Sequence, residues 1–155
     1  MPEGGHVNVA LQVFRVGQLI GDALDVALEP VELNGDQFAV LSVLRVWQPI
    51  KPAGLADVLK MPSSSLSRRL DRLERQGLLR RRTDEPDGRA KVVELTPEGD
   101  RKVRECYPLF HEFVLSVEER LGRRLGAVQD ALGELQSALE DLQRSSGRDP
   151  APASS

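Results

Sequence analysis

Apolar positions in the first thirty residues recur at roughly helical intervals. Leu11, Phe14, Leu19, Ala23, Val26 and Ala27 line up with no proline between them, which predicts a helix over about 7–28. Pro30 and the Leu-Asn-Gly at 33–35 mark a break, after which Asp36 is placed to cap a second, strongly aliphatic helix, "QFAVLSVLRVW". A further break at "QPIKPAG" precedes a short helix, "GLADVLK", at 54–60. The next helix, "LSRRLDRLERQ", follows "MPSSS" and is closed by Gly77. Leu66, Leu70 and Leu73 are spaced i, i+4, i+7 and form its buried stripe, which leaves Arg68, Arg69, Arg72 and Arg75 facing outward.

The pattern then changes period. "LLRRRT" and "AKVVEL" flank the turn formers Asp84, Pro86, Asp87 and Gly88, and read as an antiparallel hairpin. Thr96 caps a long helix with Pro97 at its first position, running to about Leu121 and tolerating Pro108 with a kink. Gly122 and Gly126 signal a bend. Beyond it Leu121, Leu125, Val128, Leu132, Leu135, Leu139 and Leu142 alternate in steps of four and three, a seam of about three heptads that wants a partner helix. The closing "RSSGRDPAPASS" is polar, Pro/Ser-rich and expected to be disordered.

Charge sharpens the picture. The chain has 155 residues and a formal net charge of −3, which argues weakly against a nucleic-acid partner. Its distribution argues the other way: residues 63–91 carry nine Arg and Lys against five Asp and Glu. Two readings compete for this segment, a solvated charged face or a patch that meets phosphates. Aromatic residues are only 4%, so aliphatic side chains must build the core. No apolar run reaches the roughly 20 residues of a membrane helix, and the N-terminal segment lacks the features of a signal peptide. A single cysteine, Cys106, excludes an internal disulfide and suits a reducing, cytoplasmic setting. His6 and His111 are too scattered for a metal cage, and no nucleophile–base pair, catalytic carboxylate pair or phosphate-binding loop is present. No enzyme activity and no cofactor are expected.

A helix-turn-helix followed directly by a basic hairpin describes a winged helix. The stretch "LADVLKMPSSSLSRRLDRLERQGLLRRRTDEPDGRAKVVELTPEG", 55–99, resembles the MarR family (multiple antibiotic resistance regulators) of bacterial transcription factors. It carries a recognition helix ending in "DRLE-x-x-GL", a wing with Asp-x-Arg, and "LT-x-x-G"; "QFAVLSVL" is similar to the family's second helix.

The resemblance implies a mainly α fold with a small β-hairpin wing. Its parts would be an N-terminal dimerisation helix (1–30), a winged helix-turn-helix lobe (31–96), C-terminal dimerisation helices (97–144) and a disordered tail (145–155). It further implies a homodimer that binds double-stranded DNA at a pseudo-palindromic operator, most simply as a repressor. Release would come from a small aromatic or phenolic effector in a crevice between the dimer helices and the DNA-binding lobe; Trp47, Phe38, Phe110 and Phe113 either line such a crevice or are plain core, and none is assigned to a ligand. Ser64, Ser65, Ser67, Arg68 and Arg69 lie in the two turns that touch bases and phosphates in the family. Arg72 is a further candidate DNA contact, and for it and Arg75 a second reading stands, as partners of Asp71 and similar acids on a solvated face. Arg89 matches the arginine that enters the minor groove, with Asp87 orienting it. Two alternatives stand beside this reading: a winged-helix module that binds a protein rather than DNA, and a regulator switched through the Cys106 thiol.

Overall fold

Residues 8–84, 88 and 91–146 are described by a computed structural model of the chain. Asn8 opens α1 (Val9–Leu28), its side chain accepting from the Leu11 amide at 2.9 Å. A short 3-10 turn, Glu29–Val31, leads to α2 (Gly35–Trp47). The cap of α2 is Asn34, not the expected Asp36. Asn34 Oδ1 accepts from the Gln37 amide at 2.8 Å and Gln37 Oε1 accepts from the Asn34 amide at 3.0 Å. That reciprocal box satisfies both amides and leaves Asp36 on the first turn, free to pair elsewhere.

Pro52 occupies the first position of α3 (Pro52–Leu59), where its missing N–H costs nothing. The helix α4 (Ser63–Arg75) starts three residues before the predicted one, after Pro62, so the serines belong to its first turns. Gly77 closes it with φ +73, a left-handed conformation in which glycine is least strained. Strands β1 (Leu79–Thr83) and β2 (Lys91–Leu95) pair antiparallel, from Leu79 opposite Leu95 to Thr83 opposite Lys91. Ile50 adds a single antiparallel bridge to Val93, with N–H···O distances of 3.2 and 2.9 Å.

The helix α5 (Pro97–Leu121) passes through Pro108 without ending. Its start is tied down from two sides: the Gly99 amide donates to Thr96 Oγ1 at 3.1 Å, and the Thr96 hydroxyl donates to the Gly77 carbonyl at 2.6 Å. The chain divides into two compact units, Met1–Phe113 and Val114–Ser155. In the first, the aliphatic core gathers Leu28, Leu41 and Leu44, Leu55, Leu66, Leu70 and Leu73, Leu79, Val93, Val103 and Cys106, all essentially inaccessible. Burying each leucine of the α4 stripe contributes roughly 1.5–3 kcal/mol. That burial holds α4 against α2, α3 and the hairpin.

In the second unit, Gly122 (φ +52) opens a 3-10 turn, Gly122–Arg124, followed by α6 (Leu125–Ser146). The helix thus outlasts the predicted boundary at 144, with the Ser145 hydroxyl donating to the Asp141 carbonyl at 2.9 Å. The rest of the predicted tail, 147–155, lies outside the described residues.

Candidate nucleic-acid interface

The side chains of α4 sort by helical period into a buried stripe and three others. Ser64, Arg68 and Arg75 point away from the core and are exposed. Ser65, Arg69 and Arg72 form the flank toward the start of α2, where together with Asn34, Asp36, Gln37 and Arg68 they line a cleft of about 320 Å³. Ser67, Asp71 and Glu74 form the opposite flank, toward the hairpin, and Ser67 shares a groove with Arg81 and Lys91 of the two strands. Six of the expected contact residues, Ser64, Ser65, Ser67, Arg68, Arg69 and Arg72, thus sit on the first three turns of one helix. Asp87 and Arg89 lie outside the described residues.

Ion pairs separate arginines that are engaged from arginines that are not. Arg69 does not face outward as its spacing suggested: its Nε donates to Asp36 Oδ2 at 3.2 Å, its Nη2 pairs with the same carboxylate, and its Nη1 lies 3.0 Å from Met61 Sδ. The reason is the capping box, which releases Asp36 to meet it. Asp71 does not pair with Arg72 or Arg75 either, because Arg81 from β1 takes its carboxylate at 2.7 Å. Arg75 instead donates to the Asp71 backbone carbonyl at 3.2 Å. Among the described residues, Arg68 and Arg72 have no carboxylate partner.

The arginine triplet of the hairpin is accounted for by the alternation of a strand. Arg80 and Arg82 share one face with Glu94, which accepts from Arg80 at 2.7 Å and from Arg82 at 3.0 Å. Those hydrogen bonds, from Arg82 first and then Arg80, hold the Glu94 carboxyl below the usual range of a glutamate. Arg81 faces the other way, onto α4, where it meets Asp71 and Glu74.

The sequence alone did not point to Asp36, Glu74 and Glu94 as partners, and it offered Asp71 to Arg72 and Arg75 where the fold gives it to Arg81. The alternation of strand faces was the signal available for Glu94. The others depend on how α4 packs, which no local pattern carries.

The first turn of α4 has no side-chain cap, Pro62 offering none, so its leading amides have no side-chain acceptor among the described residues. Leading amides, hydroxyls and two guanidinium groups without a carboxylate partner among the described residues, all on one helix, suit an anionic, groove-shaped partner.

Other candidate chemistry is weaker. Cys106 is fully buried, and burial pushes its thiol up to about 11, the reverse of what a reactive cysteine needs. No group of three or more His, Cys, Asp or Glu among the described residues could hold a metal ion. No described helix is long and apolar enough to cross a membrane. Phe38 packs edge-on to Tyr107 at 5.8 Å and against Phe110 at 5.2 Å, while Trp47 is exposed.

Known proteins share this arrangement. The family model described as "MarR family" matches residues 33–91. PecS, an HTH-type transcriptional regulator of Dickeya dadantii, is 39% identical over 88 residues, 55% of this chain and 53% of PecS. The multiple antibiotic resistance protein MarR of Escherichia coli is 32% identical over 97 residues, 63% of this chain and 67% of that protein. These matches thus span about half the length of PecS and about two thirds of MarR. In structure, a cysteine-to-serine variant of E. coli MarR complexed with operator DNA superimposes with a TM-score of 0.76 at 27% identity, covering 86% of this chain and 94% of that one. With its winged-helix lobe and these matches, the chain belongs to the MarR family.

Proposed function

We propose that the protein is a sequence-specific DNA-binding transcriptional regulator of the MarR type. It binds a pseudo-palindromic operator as a cytoplasmic homodimer and represses until an effector releases it. The observation that carries this reading is the outer face of α4, where Arg68 and Arg72 stand without carboxylate partners among the described residues, beside an uncapped helix start. The solved relative with operator DNA supports it. A helix in the major groove uses arginine for guanine edges and phosphates, and serine and backbone amides for phosphates. Arg89, oriented by Asp87, would add the minor-groove contact.

Two apolar faces support a second copy. On α1, Val9, Val13, Val16 and Ile20 fall at i, i+4, i+7 and i+11 and are all exposed. In the second unit, Val128, Leu132, Leu139 and Leu142 of α6 are exposed as well. Large apolar stripes of this kind mark protein interfaces, and a dimer would present two recognition helices to half-sites about one duplex turn apart. A small aromatic effector is the finer part of the reading, supported by the family alone.

One observation favours the rival, a protein-binding module: Arg69, Arg80, Arg81 and Arg82 are matched by acids within the fold, which shrinks the basic surplus. Titration of a duplex from the region upstream of the protein's own coding sequence separates the two. Tight, salt-sensitive binding supports the regulator, and its absence from a folded dimer supports the rival.

A further inference from the structure

Arg81 occupies the face of β1 that continues the core. Leu79 on that face is buried, and Val93, opposite Arg81 in the ladder, is fully inaccessible. Further along the strand, the flank of α4 presents Asp71 and Glu74 rather than leucines. The Arg81 side chain, 24% exposed, reaches both. Its Nη2 donates to Asp71 Oδ1 at 2.7 Å, its Nη1 donates to Glu74 Oε2, and its backbone N–H donates to Glu74 Oε1 at 3.2 Å. The middle of the strand is thereby fastened to two successive positions on one flank of α4. Its neighbour Arg80 is 63% exposed and, among the described residues, pairs with Glu94 of the same hairpin and with no acid of α4.

We propose that Arg81, with Asp71 and Glu74, is a strut that sets the wing against the recognition helix, making Arg81 a positioning residue for DNA recognition and not a phosphate contact. The proposal rests on the DNA-binding reading and deepens it. It explains why a helix meant for a polyanion keeps two carboxylates beside its exposed face. A planar guanidinium serves two acids at fixed angles, which an ammonium does not. Fixing the angle in advance spares the complex the cost of ordering the wing.

The reading makes a prediction of opposite sign to simple electrostatics. Replacing both acids, Asp71→Asn with Glu74→Gln, removes two negative charges near the exposed face of α4. Charge alone would tighten DNA binding. Loss of a strut loosens it.

The test uses the full chain and two readouts. One is hydrogen–deuterium exchange of the free protein. The other is binding, over a salt series, to a duplex from the region upstream of its own coding sequence. Arg81→Met and the double variant are each expected to speed amide exchange across 79–83 and 91–95 by about tenfold, leaving α2 unchanged. Each should weaken DNA binding about tenfold, and Arg81→Met should keep the wild-type salt slope, because no phosphate contact is lost. Arg81→Lys, able to serve one acid at a time, should fall between.

A salt slope lower by about one in Arg81→Met would make Arg81 a phosphate contact and overturn the proposal. Tighter binding by the double variant with unchanged exchange would reduce the acids to a mask and overturn it as well. Should the wild type bind no duplex at all, the DNA-binding reading fails by itself. Exchange then decides the strut: unaltered wing amides in both variants overturn it, and faster ones uphold it.

Discussion

Gly99 faces the Leu78 backbone so closely that a Cβ there would collide with the carbonyl oxygen and stand 2.8 Å from the carbonyl carbon. This contact lets α5 begin directly against the entrance to β1, with Thr96 bonded to Gly77 across the same junction. Backbone cannot retreat as a flexible side chain does. Gly99→Ala is therefore expected to destabilise the chain by about 3 kcal/mol or more, read as a lowered urea midpoint at fixed protein concentration. A wild-type midpoint would contradict this account of the junction.

Arg68 and Arg72 are the recognition-helix arginines without acidic partners among the described residues. Arg68→Ala and Arg72→Ala should each weaken operator binding by about 1–3 kcal/mol where the guanidinium reads a base. A side chain that reads only phosphate should instead lower the salt slope by about one. Circular dichroism should be unchanged, since both side chains are exposed. Wild-type affinity and slope in both variants would move the interface off α4.

Much of this arrangement was legible in the chain. Leu66, Leu70 and Leu73 announced the buried stripe of α4, Gly77 its end, and Thr96–Pro97 the start of α5, because each signal is local and period-bound. Charge partners were not legible in the same way. Asp36 and Arg69 are 33 residues apart, and their meeting depends on Asn34 winning the cap from Asp36. Arg81 points at α4 because the strand's alternation turns it there, while Arg80 and Arg82 turn away. The sequence therefore showed a run of arginines, and only packing showed which of them remain uncommitted. Asp87 and Arg89 lie outside the described residues.

Glu94 supplies a pH test. Hydrogen bonds from Arg82 and Arg80 lower its pKa in the folded chain. A depressed carboxylate adds stability that is full above its unfolded value, near 4.3, and is lost as pH falls through the folded value. Between about pH 5 and pH 3 the wild type should lose more stability than Glu94→Gln. The difference should stay below about 1 kcal/mol, because both arginines are partly solvated. Parallel acid profiles would show that the pair contributes nothing measurable.

The exposed leucines of α6 test the dimer. Leu132→Asp with Leu139→Asp places two charges on the apolar stripe of the second unit. Light scattering coupled to size exclusion should find the wild type as a dimer and this variant as a monomer. DNA affinity should fall steeply, since one recognition helix would then hold a half-site alone. A variant that remains dimeric would move the interface away from α6.

The most direct measurement is binding of the purified protein to duplex fragments from the region upstream of its own coding sequence, at two salt concentrations, beside Arg89→Ala. The account predicts tight binding by the wild type to one short inverted repeat, falling steeply with salt. Arg89→Ala should bind more weakly while remaining folded and dimeric. No binding by a folded wild-type dimer at either salt would contradict the DNA-binding account and leave the protein-interaction reading in its place.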